Sequence, residues 1–382
     1  MEFLQSVFSA GSGLLSYAIP ALFVLTIVVF FHELGHFMVG RWCGVTIKAF
    51  SIGFGPELFG FYDKHGTRWK FSAIPLGGYV KFEGDENAAS VPDEEAMKKM
   101  SADEREGSLH AKPLWARAAI VAAGPVANFL LSIVIFGMLL FAYGKPMTPA
   151  RVDSVVAGSA AEEAGFEPGD IMVSIDGGVI EAFSDVQRLV ALSSEDVLQV
   201  VVDRGGSLIT LQTTPRRTEV TDQFGNKQKI GVLGIRHESN PDDVVRKQFG
   251  PVDALWGGVE ETYFIATRTL GYIGRIFVGK EDADQLGGPI RVAQVSGQVA
   301  TLGIVALVNL AGMLSVSIGL INLFPVPMLD GGHLVFYAAE AIRGKPLSEK
   351  SQELGFKIGL AMVLSLMVFA TFNDITHIFL SD

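Results

Sequence analysis

The sequence predicts an α-helical membrane protein with four transmembrane helices, a membrane-associated β-hairpin region and one inserted α+β domain. Three observations predict it. Four apolar runs, Leu14–Val39, Ala118–Tyr143, Gly303–Phe324 and Phe356–Phe372, each come close to the 20 or so residues that a helix needs to cross a bilayer. Residues 45–83 mix β-branched and aromatic residues with glycines at bends. Residues 148–240 are charged, glycine-rich and free of long apolar runs, as in a compact soluble module.

Taken in order, residues 1–42 hold the first span. It has no basic stretch before it and no small-x-small cleavage site after it, so it reads as a retained helix and not a cleaved signal. Residues 43–115 form a loop that contains the β region and an acidic linker, Glu83–Glu106. The β region has strand-like Val45–Phe54, Trp69–Ile74 and Tyr79–Phe82, with a turn at Asp63–Gly66. Bare sheet edges are not tolerated in lipid, so the region lies at the membrane face or re-enters beside a water-filled site. The second span occupies 116–144. Residues 241–302 form an amphipathic region, with Pro251–Arg275 read as a helix on the outer membrane surface. The third span and an Asn322…Asp330-Gly331-Gly332 segment occupy 303–333, and a loop with the fourth span follows at 334–382.

Orientation follows from basic residues near the span ends. Arg41, Lys48, Lys64, Arg68, Lys70, Lys81, Lys112 and Arg117 follow the first span, and Arg343, Lys345 and Lys350 follow the third. Both loops are therefore expected in the cytoplasm, and the inserted domain outside it. The 382-residue chain has a formal net charge of -11, which leaves no basic footprint for nucleic acid. Cys43 is the single cysteine, so no intramolecular disulfide is possible and the redox compartment stays open.

The chemistry is carried by His32-Glu33-Leu34-Gly35-His36. Two imidazoles one helical turn apart share a face and can share a metal ion. Glu33 stands beside them, where it can take a proton from metal-activated water. Ionisable groups inside a span are costly, which makes simple helix packing a poor account of the set. A catalytic zinc centre takes three protein ligands and keeps one position open. The soluble metzincin spacing would put a histidine at position 42, where this chain has Trp42. Asp330 is the candidate third ligand. It follows a Pro325-x-Pro327 break at the same side of the membrane, and Gly331 and Gly332 are expected to let the backbone approach the metal. His333 and Cys43 remain weaker alternatives. For Asn128 in the second span, helix–helix hydrogen bonding is expected.

Within 148–240, the segment from Val155 through Gly158-Ser159, Gly165, Gly169-Asp170 and Asp176-Gly177 resembles a bacterial PDZ domain. Ser159 would cap a short helix, and Phe183–Ala191 would form the helix that walls a peptide groove. The His-Glu-Leu-Gly-His motif, Gly124-Pro125-Val-Ala-Asn128, this one module and Asn322…Pro325-x-Pro327…Leu329-Asp330-Gly331 occur in that order. Together they resemble the site-2 protease family of intramembrane zinc metalloproteases, of the bacterial sigma-E-regulator type, with a single PDZ domain. The resemblance covers nearly the whole chain.

It implies Zn2+ held by His32, His36 and Asp330, with Glu33 as base. It also implies Asn322 holding the substrate backbone or oxyanion, and a re-entrant hairpin with Gly53, Phe54 and Gly55 pairing with an unwound substrate strand. The partners it implies are single-pass membrane proteins such as anti-sigma factors, or remnant signal peptides, together with membrane lipid and a PDZ peptide ligand. The implied location is the bacterial inner membrane, with the PDZ domain in the periplasm and the active site near the cytoplasmic side. A scaffold that has lost catalysis and a metal-storage or transport protein are the competing classes; the intact His32, Glu33, His36 and Asp330 set disfavours both.

Overall fold

The computed structural model describes residues 2–85, 100–224, 226–238, 244–279, 283 and 287–380. Most of the expected acidic linker, residues 86–99, lies outside the described residues. The chain divides into a helical unit, Met1–Leu139 with Ala254–Leu380, and an inserted unit, Leu140–Asp253.

Helix α1 (Glu2–Trp42) carries the first apolar run and is followed by two long strands, β1 (Ile47–Tyr62) and β2 (Arg68–Phe82). Both strands double back on themselves, because Ala49–Ile52 pair with Gly78–Lys81 and also with Arg68–Phe71, while Glu57–Tyr62 pair with Arg68–Ser72. The hairpin is thus a four-segment sheet, ordered 57–62, 68–72, 49–52, 78–82. The glycines that suggested strand ends lie within it. Gly53 sits at φ +90 and so near the carbonyls of Ser72 and Ile74 that a Cβ would lie 2.8 Å from Ile74 O.

Side chains fasten this sheet to α1. Asp63 in the turn accepts hydrogen bonds from His65 N, Thr67 N, Trp69 Nε1 and Arg41 at the end of α1. At the other end, a Cβ on Gly78 would lie 3.0 Å from Glu33 Cγ and 3.1 Å from Val29. Val29 to Arg41 spans about 18 Å at 1.5 Å per helical residue, so the sheet runs back along α1 over most of a bilayer leaflet's depth. Its core is Phe50, Val80, Phe82, Phe37 and Ile120, with Trp69 stacked on Phe50 at 4.3 Å.

A short helix, α2 (Ala102–Gly107), leads into α3 (Leu114–Tyr143), the second apolar run. Ser101 caps α2 and accepts from Glu104 N, while the Glu104 side chain accepts in return from Ser101 N.

The inserted unit contains β3 (Lys145–Met147), β4 (Ser154–Val155), α4 (Ala160–Glu163), β5 (Ile171–Ile175), β6 (Gly178–Val179) and α5 (Phe183–Ala191). It continues with β7 (Leu198–Arg204), β8 (Ser207–Thr213), β9 (Arg216–Thr221), β10 (Lys227–Val232), β11 (Ile235–Arg236) and β12 (Val245–Lys247). A four-stranded sheet has the order β6-β5-β7-β8, and β4 pairs with β11, β3 with β12 and β9 with β10. Val152, Met172, Val200 and Val202 lie at the centre of its core. Ser159 accepts from Glu162 N at 3.3 Å and starts α4, Gly165 follows it at φ +83, and α5 has the bounds expected from sequence.

The chain returns to the helical unit with α6 (Pro251–Phe277), α7 (Pro289–Ala300), α8 (Ile304–Asn322), α9 (Asp330–Arg343) and α10 (Glu349–Leu380). Among the described residues, α1, α3, α8 and α10 are the four helices long and apolar enough to cross a membrane. They approach through small residues and hydroxyl hydrogen bonds, as helices without a hydrophobic drive between them must. Ser132 and Ser315 both donate to Asn128 O, and Ser132 also contacts Gly312 O.

Two expectations change here. The 241–302 stretch holds two helices, and the first does not simply lie across the span ends. Ala254 and Gly258 of α6 pack along α3 at Gly137 and Ile133, and Ile265 and Ala266 reach the core around Val24, Val28 and Leu131. Small residues let the backbones touch, which an amphipathicity reading does not register. Helix α7 packs on α1 at Tyr17, and its first N–H groups at Gly288, Ile290 and Arg291 bond to Asp374 of α10. The expected loop after residue 333 is also helical, since α9 begins at Asp330.

In the inserted unit, the fully buried Asp170 carboxylate accepts from Arg204 Nε at 2.7 Å and Nη2 at 2.8 Å, and from Glu167 N at 2.9 Å. Burial alone would raise its pKa, but the Arg204 hydrogen bonds and charge outweigh burial and hold it below the usual carboxylate range. A lowered folded pKa gives stability that is present above about pH 4 and lost as pH falls through the lowered value. Arg204→Met strands that carboxylate and is expected to destabilise the unit at pH 7. The loss should shrink towards pH 3. Hydrogen-exchange protection of β5 and β7 in the full-length protein measures it, and unchanged protection would refute the pairing.

Candidate metal centre

The His-x-x-x-His spacing on α1 turns both imidazoles towards α3, with His32 Nε2 and His36 Nε2 3.2 Å apart. The opposing surface is Gly124. A Cβ there would lie 2.3 Å from His36 Nε2 and 2.8 Å from His32 Cε1, so no residue larger than glycine fits while the rings stay in place. One turn away, Gly35 presses on Ala123 O in the same way.

Pro125 follows Gly124 inside α3 and cannot donate to the preceding turn. In that turn the Ile120 carbonyl also accepts a hydrogen bond from His36 Nδ1, at 2.9 Å. With the proton on Nδ1, the lone pair of His36 is on Nε2, facing the centre.

Asp330 brings the third donor from the far end of the chain. Its Oδ2 lies 3.2 Å from His32 Nε2 and its Oδ1 3.5 Å from His36 Nε2. The donor atoms of His32, His36 and Asp330 all lie within 4.8 Å of one another. Asp330 Oδ2 is buried and makes no hydrogen bond, so it faces the two ring nitrogens with an unmet requirement for positive charge. Two nitrogens and one carboxylate oxygen around one point fit a divalent cation such as zinc, with room for an open position.

Asp330 is the first residue of α9, after a loop in which Met328 takes φ +89. The expected role of the neighbouring glycines changes. A Cβ on Gly331 would strike Leu323 O and Phe324 O at 2.3 Å, and one on Gly332 would meet Val326 O at 2.4 Å. They fold the start of α9 back on its own loop and do not bring backbone to the metal. The far end of α9 is tied to α3 by a two-pronged Arg117–Glu340 pair at 2.5 and 3.1 Å, with Arg117 over the Tyr337 ring.

The remaining expected residues are placed as follows. Glu33, between the two histidines, receives a hydrogen bond from Val80 N on β2 and lies within electrostatic reach of His32, His36 and Asp330. Asn322 is the last residue of α8, at the head of the loop that delivers Asp330. His333 packs at a tilt against Phe356, and Cys43 lies beside the aromatic cluster of Phe37 and Phe50; neither joins the converging set. Gly53, Phe54 and Gly55 form the bend of β1, whereas the strand bordering Glu33 is Gly78–Phe82, one strand further over.

Asn128 is the residue that sequence reasoning undervalued. It is fully buried, and its amide reaches across helices to His32 Nδ1 at 3.3 Å. Its place four residues after Gly124, one helical turn along the face that meets the histidines, is the signal that could have found it.

Gly124→Ala is expected to displace His36 and lower any metal-dependent turnover about a hundredfold, the usual result of misplacing a reacting group by about 1 Å. Gly271→Ala is the control, because open space surrounds that position on α6. Metal content and turnover of the purified variants check both, and a fully active Gly124→Ala protein would contradict the described contact.

Comparison with known proteins agrees with this geometry. The model of peptidase family M50 matches residues 20–366. A protein of Agrobacterium fabrum named "Putative zinc metalloprotease" is 52% identical over 375 residues, covering 98% of this chain and 100% of that protein. One of the same description from Rhizobium meliloti is 52% identical over 366 residues, covering 96% and 98%. Metalloprotease MmpA of Caulobacter vibrioides is 41% identical over 388 residues, covering 96% of each. Among solved structures, the PDZ domain of an SdrC-like protein from Listeria monocytogenes aligns with 25% of this chain and 87% of its own, at 17% identity and a TM-score of 0.18. The matched family extends from the first span to the last, and the chain belongs to peptidase family M50.

Proposed function

We propose that this chain is an intramembrane zinc metalloendopeptidase that hydrolyses a transmembrane segment of another membrane protein. The observation that carries the reading is the convergence of His32, His36 and Asp330 on one point, with Glu33 beside it and a sheet edge behind Glu33. Zinc, when bound, polarises the scissile carbonyl and makes water acidic enough to attack near neutral pH.

The rest is done by the chain. Glu33 accepts the proton of the attacking water and passes it to the leaving amine, a role that its separation from the ligand set leaves it free to play. Asn322 stabilises the developing oxyanion or holds the substrate backbone. A helical substrate hides its amides in its own hydrogen bonds, so the scissile stretch must unwind. Residues 78–82 pair with β1 on one side only among the described strands, and Val80 N of this strand donates to Glu33. An unwound substrate strand pairing with this sheet would lie near the base. The substrate-pairing role expected of Gly53, Phe54 and Gly55 is part of the same proposal.

The exposed aromatic side chains Phe59, Phe61, Tyr62 and Phe71 support a hairpin that contacts lipid. Basic residues around both short loops support a site near the cytoplasmic side of a bacterial inner membrane. The inserted unit is a periplasmic PDZ module that either reads a peptide or filters substrates by size. Substrates of the anti-sigma-factor or remnant-signal-peptide type fit a protease that acts after the outer part of its target has been removed.

Reconstitution with a single-span substrate tests the mechanism. Glu33→Gln is expected to keep its zinc and lose roughly a hundredfold to ten-thousandfold in rate. Asp330→Ala is expected to lose zinc as well, and chelator should stop the wild-type protein until zinc is restored. A Glu33→Gln protein that cleaves at the wild-type rate would sink the reading.

A further inference from the structure

The amide of Asn128 faces His32 Nδ1 across 3.3 Å, while its own Oδ1 is buried without a hydrogen-bond partner. We propose that Asn128 is a positioning residue whose amide oxygen, turned towards His32 Nδ1–H, holds His32 in the one tautomer that can bind metal. The inference rests on the zinc site proposed above and asks what selects its ligand's protonation state.

His32 Nε2 faces both His36 Nε2 and Asp330 Oδ2 at 3.2 Å, so Nε2 is the ligand atom. A neutral imidazole has one N–H and one lone pair. For Nε2 to offer its lone pair, the proton must sit on Nδ1, and Nδ1 then needs an acceptor. An amide nitrogen can only donate; set against Nδ1, it would force the proton onto Nε2 and point it into the metal position. The amide oxygen does the opposite. The two orientations differ by half a turn of the terminal amide group, which the surrounding shape hardly distinguishes.

Either orientation leaves the far end of the amide, Oδ1 or the NH2 group, buried without a hydrogen-bond partner. The need for Nε2 to keep its lone pair for the metal is what selects the oxygen at Nδ1. The backbone of Asn128 is already immobile, since its carbonyl accepts from Ser132 and Ser315 and its Cβ lies 3.1 Å from the position a Cβ would take on Gly319. The two ligand histidines are then set alike from α3, His36 through the Ile120 carbonyl and His32 through the Asn128 side chain.

The test compares three forms of the full-length protein in detergent. Zinc affinity is measured by competition with a chromophoric chelator, and the site is read independently from the visible spectrum of the Co2+ form. Asn128→Asp keeps an acceptor and is expected to bind zinc within a few-fold of wild type with an unchanged Co2+ spectrum. Asn128→Leu keeps the volume but offers no acceptor, and is expected to bind about 10- to 100-fold more weakly, the usual effect of losing a second partner of a metal-bound histidine. Thermal unfolding of all three without metal separates this from a folding defect. If Asn128→Leu matches wild type, or Asn128→Asp falls as far as Asn128→Leu, the inference is overturned. If the wild-type protein itself binds no zinc, the proposed function fails instead.

Discussion

The close approach of α1 and α3 is the constraint on which the rest depends. Gly35 against Ala123 and Gly124 against the two imidazoles bring a helix backbone to within contact of the His pair. No side chain of α3 intervenes, so its carbonyl at Ile120 and its amide at Asn128 become available to the rings. Helices that met through leucines at the usual 8–10 Å would leave both Nδ1 atoms facing hydrocarbon, where an unmet N–H costs several kcal/mol. The glycines are therefore part of the chemistry. They trade side-chain packing for ring orientation, while the Ser132 and Ser315 hydroxyls tie α3 to α8.

The sheet obeys the same logic from the other side of α1. A polar backbone edge beside a span is tolerated only where something satisfies it or water reaches it. Here Val80 N satisfies part of that edge by donating to Glu33, so strand and carboxylate hold one another. Asp63, gathering four donors at the turn, ties the opposite end to Arg41. Those four hydrogen bonds outweigh the effect of burial and hold the Asp63 pKa down at about 2, so the tie persists across the physiological range.

How much of this was legible in the sequence depended on the range of the signal. The four spans, the His32–Glu33–His36 face and the bounds of α5 follow from local periodicity, and the structure has them. Asp330 was reachable because Pro325 and Pro327 announce a broken helix and the first and third spans were read as running in the same direction. Gly331 and Gly332 were read with the right freedom but the wrong neighbour, since a glycine's partner is a tertiary fact. The strand beyond Gly55 and Pro56 was hidden by residues that ordinarily end strands. Asn128 was undervalued because a polar residue in a span has many uses, and only three-dimensional contact with His32 separates them. Helix α6 was misjudged for a related reason: its small residues, Ala254 and Gly258, look neutral in a hydropathy pattern yet decide what it packs against.

Charge and space together favour a third donor that is a carboxylate carried by a broken helix and not another histidine of α1. A cation of charge two among the spans is costly unless its surroundings balance it. Two neutral imidazoles balance none of it. Asp330 supplies a negative charge at the converging set, with Glu33 beside it. A third imidazole would leave an excess positive charge in a medium that cannot screen it. A carboxylate on α1 itself would have to reach the same face as His32 and His36, where Gly35 and Gly124 have closed the space. Breaking the chain at Pro325 and Pro327 instead sets Asp330 at the first turn of α9, where the helix dipole favours a negative charge. The bent segment is thus the means by which a carboxylate is brought to the two imidazoles beside a closely packed pair of helices.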